Sequence, residues 1–174
     1  MGREVRMVPA TWEHPKDASG SLIPLYDGSY PQRAAAWDEE NAQWERGLRK
    51  KYTTYPAFEW VKRDDDDSEV SFSDWDGNRP VASDYMPDWP DAERTHFQMY
   101  EDTSDGTPIS PPMETPEILA RWLADNNANA FGRMTATYEE WLATIKQGWT
   151  CSAVFTPETG LTSGVAASIT PAKE

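Results

Sequence analysis

Ten acidic residues and a single base, Arg79, lie between Asp64 and Asp91. The run opens Asp64-Asp65-Asp66-Asp67-Ser68-Glu69 and continues through Asp74, Asp76, Asp84, Asp88 and Asp91. Closely spaced carboxylates lend themselves to three kinds of chemistry. They hold hard cations, they work in pairs as general acid and base, or they offer a basic partner a surface like a row of phosphates. Phe72, Trp75, Tyr85 and Trp89 are threaded through the same stretch. A purely solvating acidic segment is poor in such residues. Aromatics beside carboxylates match an interface anchor with a charged surround.

The cation option is weak. Asp74-Trp75-Asp76-Gly77-Asn78 resembles the start of a calcium loop, but glycine falls at the fourth position and Tyr85 at the twelfth, where an EF-hand needs glycine sixth and glutamate last. The catalytic option is a small carbohydrate-active enzyme with paired carboxylates, since aspartate and tryptophan both suit sugar sites. No pair is set apart by an apolar setting that would raise one pKa. His14 and His96 are too few for a zinc site, and Cys151 lies in no nucleophile motif that would join it to His96. The chain has neither a glycine-rich phosphate loop nor a Gly-x-Ser-x-Gly elbow. No cofactor or metal is expected. The acidic option places the site on Asp64, Asp65, Asp66, Asp67, Asp74, Asp76, Asp84 and Asp88, with Trp75 and Trp89 as anchors. The bland alternative is a solvated loop.

The chain has 174 residues and a formal net charge of -14. Residues 64–91 hold net -9 and residues 92–140 net -6, while residues 1–63 are close to neutral. Six bases, Arg46, Arg49, Lys50, Lys51, Lys62 and Arg63, form the nearest approach to a basic stripe. They precede the Asp run, so mutual neutralisation is expected and direct nucleic-acid binding is not. With one cysteine there is no internal disulfide. No apolar stretch suits a signal peptide or a membrane span, so an intracellular setting without membrane partners is expected. Nine tryptophans outweigh a hydrophobic content of only 38% and argue for a folded domain.

Those groups must be positioned by an α+β fold: one long Trp-striped helix, a small antiparallel sheet and a C-terminal helix pair. Residues 1–28 read as an extended arm anchored by Val5, Trp12 and Leu25, residues 29–150 as a single domain, and residues 151–174 as a mobile Ser/Thr/Ala-rich tail with a short strand at Val154-Phe155. Ser29-Tyr30-Pro31 starts a helix to Lys51 with Trp37, Trp44 and Leu48 on one face and bases at its C-terminal end. Phe58–Val61 and Thr95–Glu101 read as strands, and Thr107–Ser110 as a return beside the second. Thr115-Pro116-Glu117 and Thr137-Tyr138-Glu139-Glu140 start the two C-terminal helices, with stripes Ile118/Leu119/Trp122/Leu123 and Tyr138/Trp141/Leu142/Ile145, and Gly148 stops the second.

Two stretches, Gly2-Arg3-Glu4-Val5-Arg6-Met7-Val8-Pro9 and Gly106-Thr107-Pro108-Ile109-Ser110-Pro111-Pro112 with the following Glu114–Leu123, resemble small uncharacterised acidic proteins of tailed bacteriophages and prophages. The resemblance implies a bacterial host as the setting and carries no functional motif. Together these readings give a non-enzymatic accessory protein whose acidic face binds a basic host protein surface, for instance to inhibit a nucleic-acid-handling or defence system. The alternative is a phage structural or assembly protein, and a homo-oligomer stays open.

Overall fold

The computed structural model describes residues 2–64, 69–102, 106–157 and 160–169. Helices and small antiparallel sheets are mixed, an α+β architecture. The chain divides into two compact units, residues 28–86 and the segments on either side of them, 1–27 with 87–174.

The flanking segments build a four-stranded antiparallel sheet around β1 (Arg3–Val8). Its neighbours are β4 (His96–Glu101) and β6 (Trp149–Thr150), and β5 (Thr107–Pro108) extends the β4 edge. In register, Val5 faces Met99 and Arg6 faces Gln98. Alternation then sends Arg3, Val5 and Met7 to one face and Glu4, Arg6 and Val8 to the other. Residues 3–8, expected to lie in an extended arm, are thus an inner strand. Two arginines and a glutamate on it dilute the apolar alternation that marks strands.

Helices α3 (Pro116–Asp125) and α4 (Tyr138–Gln147) lie in the same unit. Thr115 caps α3 by accepting from Ile118 N, and Thr137 with Glu140 forms a complete capping box on α4. Gly148, at φ +91°, ends α4 in a conformation that costs other residues strain. Leu119, Ala120, Leu123, Trp141 and Ile145 bury against Met99, Ala130 and Val165. Ile118, expected in the α3 stripe, is 45% exposed and turned away from this cluster. The C-terminal segment is more ordered than the expected tail. It holds the hairpin β7 (Ala153–Thr156) and β8 (Gly160–Ser163), then α5 (Gly164–Ala167), whose Val165 is fully buried. Val165 in the core, the β7–β8 pairing and the 3.0 Å bond from Thr144 Oγ1 to Ser168 Oγ hold this polar segment in place. A Cβ on Gly164 would meet Cys151 O at 1.9 Å, so this close approach requires glycine.

Residues 28–86 hold α1 (Tyr30–Glu45), the hairpin β2 (Leu48–Thr54) and β3 (Ala57–Lys62), and α2 (Phe72–Asp76). Helix α1 stops at Glu45, earlier than expected, because Gly47 turns the chain at φ +80° and the β-branched and aromatic residues after it pair with β3. Arg49, Lys50 and Lys51 are therefore strand residues, and the last turn of α1 carries no base. Trp37 and Trp44 both pack on Phe72, with ring centroids 5.2 and 5.8 Å away. Trp44 is buried and its Nε1 donates to Val70 O at 2.8 Å.

Trp141→Ala empties the centre of the α3–α4 core and is expected to cost about 3–5 kcal/mol. Thr137→Ala removes only the cap and is expected to cost about 1 kcal/mol. Urea unfolding monitored by circular dichroism measures both losses.

Candidate functional site

The acidic segment is shared between the two units. Asp64, Asp74, Trp75, Asp76 and Asp84 belong to residues 28–86, whereas Asp88 and Trp89 belong with the four-stranded sheet. Asp65, Asp66 and Asp67 lie outside the described residues.

Around α2 the local chemistry is fully specified. Ser71 caps the helix by accepting from Asp74 N and donates to Asp74 Oδ2 at 2.6 Å. Gly77, at φ +92°, ends it. Trp75 leans on Trp44 with centroids 5.1 Å apart at 32°, yet it stays 48% exposed. Asp74 and Asp76 on either side are exposed. Arg79, the one base of the segment, is turned away from these carboxylates. Its guanidinium makes two 2.8 Å bonds to the Asp38 carboxylate, and these hold Asp38 below the usual carboxylate range. Trp75, Phe72 and Trp44 also wall a cleft of about 160 Å³ that Glu40, Lys50 and Asp76 line. Asp64 pairs with Arg49 at 2.9 Å, and Asp84 is exposed with Ser83 Oγ 3.3 Å away.

The other two residues are set differently. Asp88 pairs with Arg94 at 3.0 Å, and Arg94 Nε also donates to Trp89 O. Trp89 meets Trp12 edge-on, with centroids 4.7 Å apart. It is partly buried in this contact. Among the described residues no three His, Cys, Asp or Glu side chains gather as metal ligands. Cys151 Sγ lies 3.7 Å from Ala153 O, and His96 Nδ1 contacts the Thr95 hydroxyl.

Sequence reading missed a second cluster, on the β1–β4 face opposite the helices. Tyr100 is fully buried there and Gln98 nearly so. The Trp12 indole N–H donates to the Tyr100 hydroxyl at 3.1 Å, and that hydroxyl donates to Gln98 Oε1 at 3.0 Å. Gln98 Nε2 donates to Ser110 O. The Arg6 guanidinium sits 4.3 Å from the Tyr100 ring centroid, donates to Leu25 O and reaches Glu4 Oε2 at 3.0 Å. His14 Nε2 lies 2.6 Å from Ile23 O and so carries the hydrogen, leaving Nδ1 as a lone pair 3.4 Å from the Tyr100 hydroxyl.

Burial sets the acidities here. It pushes the Tyr100 phenol up to about 12, raises the Glu4 carboxyl against the opposing pull of Arg6, and lowers His14. Perturbed groups often mark active sites. The Tyr100 phenol keeps its proton far past neutrality, and the hydrogen bonds of Trp12, Leu25 and Ile23 to this cluster strap residues 9–27 to the sheet. The sequence signal was present in the alternation of His96, Gln98 and Tyr100 with Phe97 and Met99. It was unreadable because a polar stripe usually means a solvated face.

No helix among the described residues is long and apolar enough to cross a membrane. No family model, curated protein or solved structure matches the chain. The functional reading therefore rests on the residues themselves.

Folded His14 stays neutral where the unfolded chain has already taken up a proton, near its ordinary value of 6.5. Its stabilising contribution is thus present above that pH and is lost as pH falls through and below it. Wild type is expected to lose more stability between pH 7 and pH 5 than His14→Gln does. Equal pH slopes in urea titrations of the two proteins would show that the imidazole is not held neutral.

Proposed function

We propose that the protein is a non-enzymatic, phage-type accessory protein of the bacterial cytoplasm that binds a basic surface of a host protein. Its contact centres on α2, where Trp75 is the anchor and Asp74, Asp76 and Asp84 are the charged surround. One observation supports this most directly: a half-exposed tryptophan is held rigid by Ser71 capping and by Trp44, between two exposed carboxylates. A rigid aromatic loses little entropy on binding and removes a large apolar area from water, which is how hot spots act. The flanking charges raise the encounter rate and reject acidic partners. Exposure of the same carboxylates favours recognition over hydrolysis, since a general acid needs an enclosed apolar setting. A site that nucleic-acid machinery builds for phosphates suits such spacing, and occupying it would inhibit that machinery.

The test is affinity capture from bacterial lysate at low and high salt, beside Trp75→Ala and the pair Asp74→Asn/Asp76→Asn. A partner held by wild type is expected to elute with salt. Trp75→Ala should weaken it by about 2 kcal/mol or more, as a central anchor does. The asparagine pair should slow association and flatten the salt dependence. Identical captured sets from all three proteins would rule the acidic face out.

A further inference from the structure

The β2–β3 hairpin carries a surface that the acidic segment and the buried cluster leave unused. Antiparallel register sets Tyr52 across from Phe58 and Lys50 across from Trp60. Four rings then run in unbroken contact along the ribbon. Centroid separations are 5.5 Å from Trp60 to Phe58, 6.3 Å from Phe58 to Tyr52 and 5.8 Å from Tyr52 to Tyr55. Exposure climbs outward, from partly buried Trp60 through Phe58 at 44% and Tyr52 at 57% to Tyr55 at 83%. Rings this exposed contribute little to a core, and a two-stranded ribbon is a marginal structure by itself. A row of them is an apolar patch of the kind that marks a binding surface.

Charge distinguishes the occupant. Residues 46–63 hold six bases and one acid in a chain of net charge -14. Asp64 takes Arg49, which alternation places on the face of the ribbon opposite the rings. Lys50 and Lys62 share the ring face. Lys50 Nζ lies 4.6 Å from the Phe58 centroid and 5.6 Å from that of Trp60, while it pairs with Glu40. Lys51 and Lys62 are exposed, and the Lys51–Glu59 pair is open to solvent at 3.9 Å. Exposed pairs of that kind hold their partners weakly, so phosphates can displace the carboxylates.

We propose that this hairpin binds single-stranded nucleic acid, with bases stacked on Tyr55, Tyr52 and Phe58 and phosphates met by Lys50 and Lys62, which share the ring face. Every base has a π-face, so a row of rings reads strand without sequence, and nearby cations hold the backbone. This surface borders the acidic face around α2 at the cleft where Lys50, Tyr52 and Trp60 meet Trp75 and Asp76, and it does not depend on the reading given for that face.

Fluorescence anisotropy of a labelled 15-mer of deoxythymidine, with full-length protein, tests it. Saturable binding is expected at 50 mM salt, weakening about tenfold by 200 mM as two or three phosphates release counterions. Tyr55→Ala and Tyr52→Ala are each expected to weaken it about tenfold, while Tyr55→Phe keeps the ring and the affinity. Both tyrosines are exposed enough that the melting temperature should not move. Absence of binding at 50 mM salt overturns the proposal, as do unchanged affinities in the alanine variants. Equal affinity for duplex, displacement by polyglutamate or by a neutral glucan at matched concentration, or loss of self-association as the sole effect of the ring variants overturns it too.

Discussion

Burial of two arginines on opposite faces of one short strand is the constraint on which the larger unit depends. Arg3 is 1% exposed and Arg6 is 6% exposed. An uncompensated guanidinium inside a protein costs several kcal/mol, so each must be met by oxygen from whatever covers its face. On the helical side Arg3 Nε and Nη2 reach Asn129 O at 2.9 and 2.8 Å, Nη1 reaches Gly2 O, and Glu101 stands 3.7 Å away. This fixes the α3–α4 connection over the sheet end. On the other side Arg6 reaches Leu25 O and Glu4 and sits over the Tyr100 ring. This holds residues 9–27 down. One strand thereby clamps both layers that pack on its sheet.

The smaller unit is organised differently. Its hub is aromatic: Trp44 receives Phe72, Trp75 and the Arg63 guanidinium, the last 4.3 Å from its ring centroid. Stacking contacts of this kind contribute about 0.5–1.5 kcal/mol each beyond the area they bury. They also leave ring edges and faces at the surface, and this explains how one small unit presents two chemically distinct aromatic surfaces. Around α2 the exposed ring is bordered by carboxylates. Along β2–β3 the exposed rings are bordered by lysines.

Helix ends were the most legible part of the chain. Thr115, Thr137 with Glu140, and Gly148 act within one turn of the backbone, so their local chemistry needs no tertiary partner. The return of Thr107-Pro108 beside β4 was equally local. Helix α1 was read too long because the helical spacing of Trp37, Trp44 and Leu48 continues past Gly47. Hairpin pairing with β3 outweighed that periodicity. Of the candidate site, the coincidence of Asp74, Trp75 and Asp76 was visible in sequence. The edge-on contact of Trp89 was not, because that depends on Trp12, which lies far away along the chain.

The sequence by itself determined the charge of the molecule, the caps and stops of its C-terminal helices, and the pairing of carboxylate with tryptophan between residues 74 and 76. All of these follow from residue type and spacings of a few positions. Only the tertiary structure decided that Arg3, Arg6, Gln98 and Tyr100 are buried, that Lys50 and Lys62 share a hairpin face with aromatic rings, and that the acidic segment is shared between two units. Those outcomes rest on partners distant in the chain. A polar or aromatic side chain is equally at home in water or inside a satisfied network, and local sequence does not say which partner will arrive.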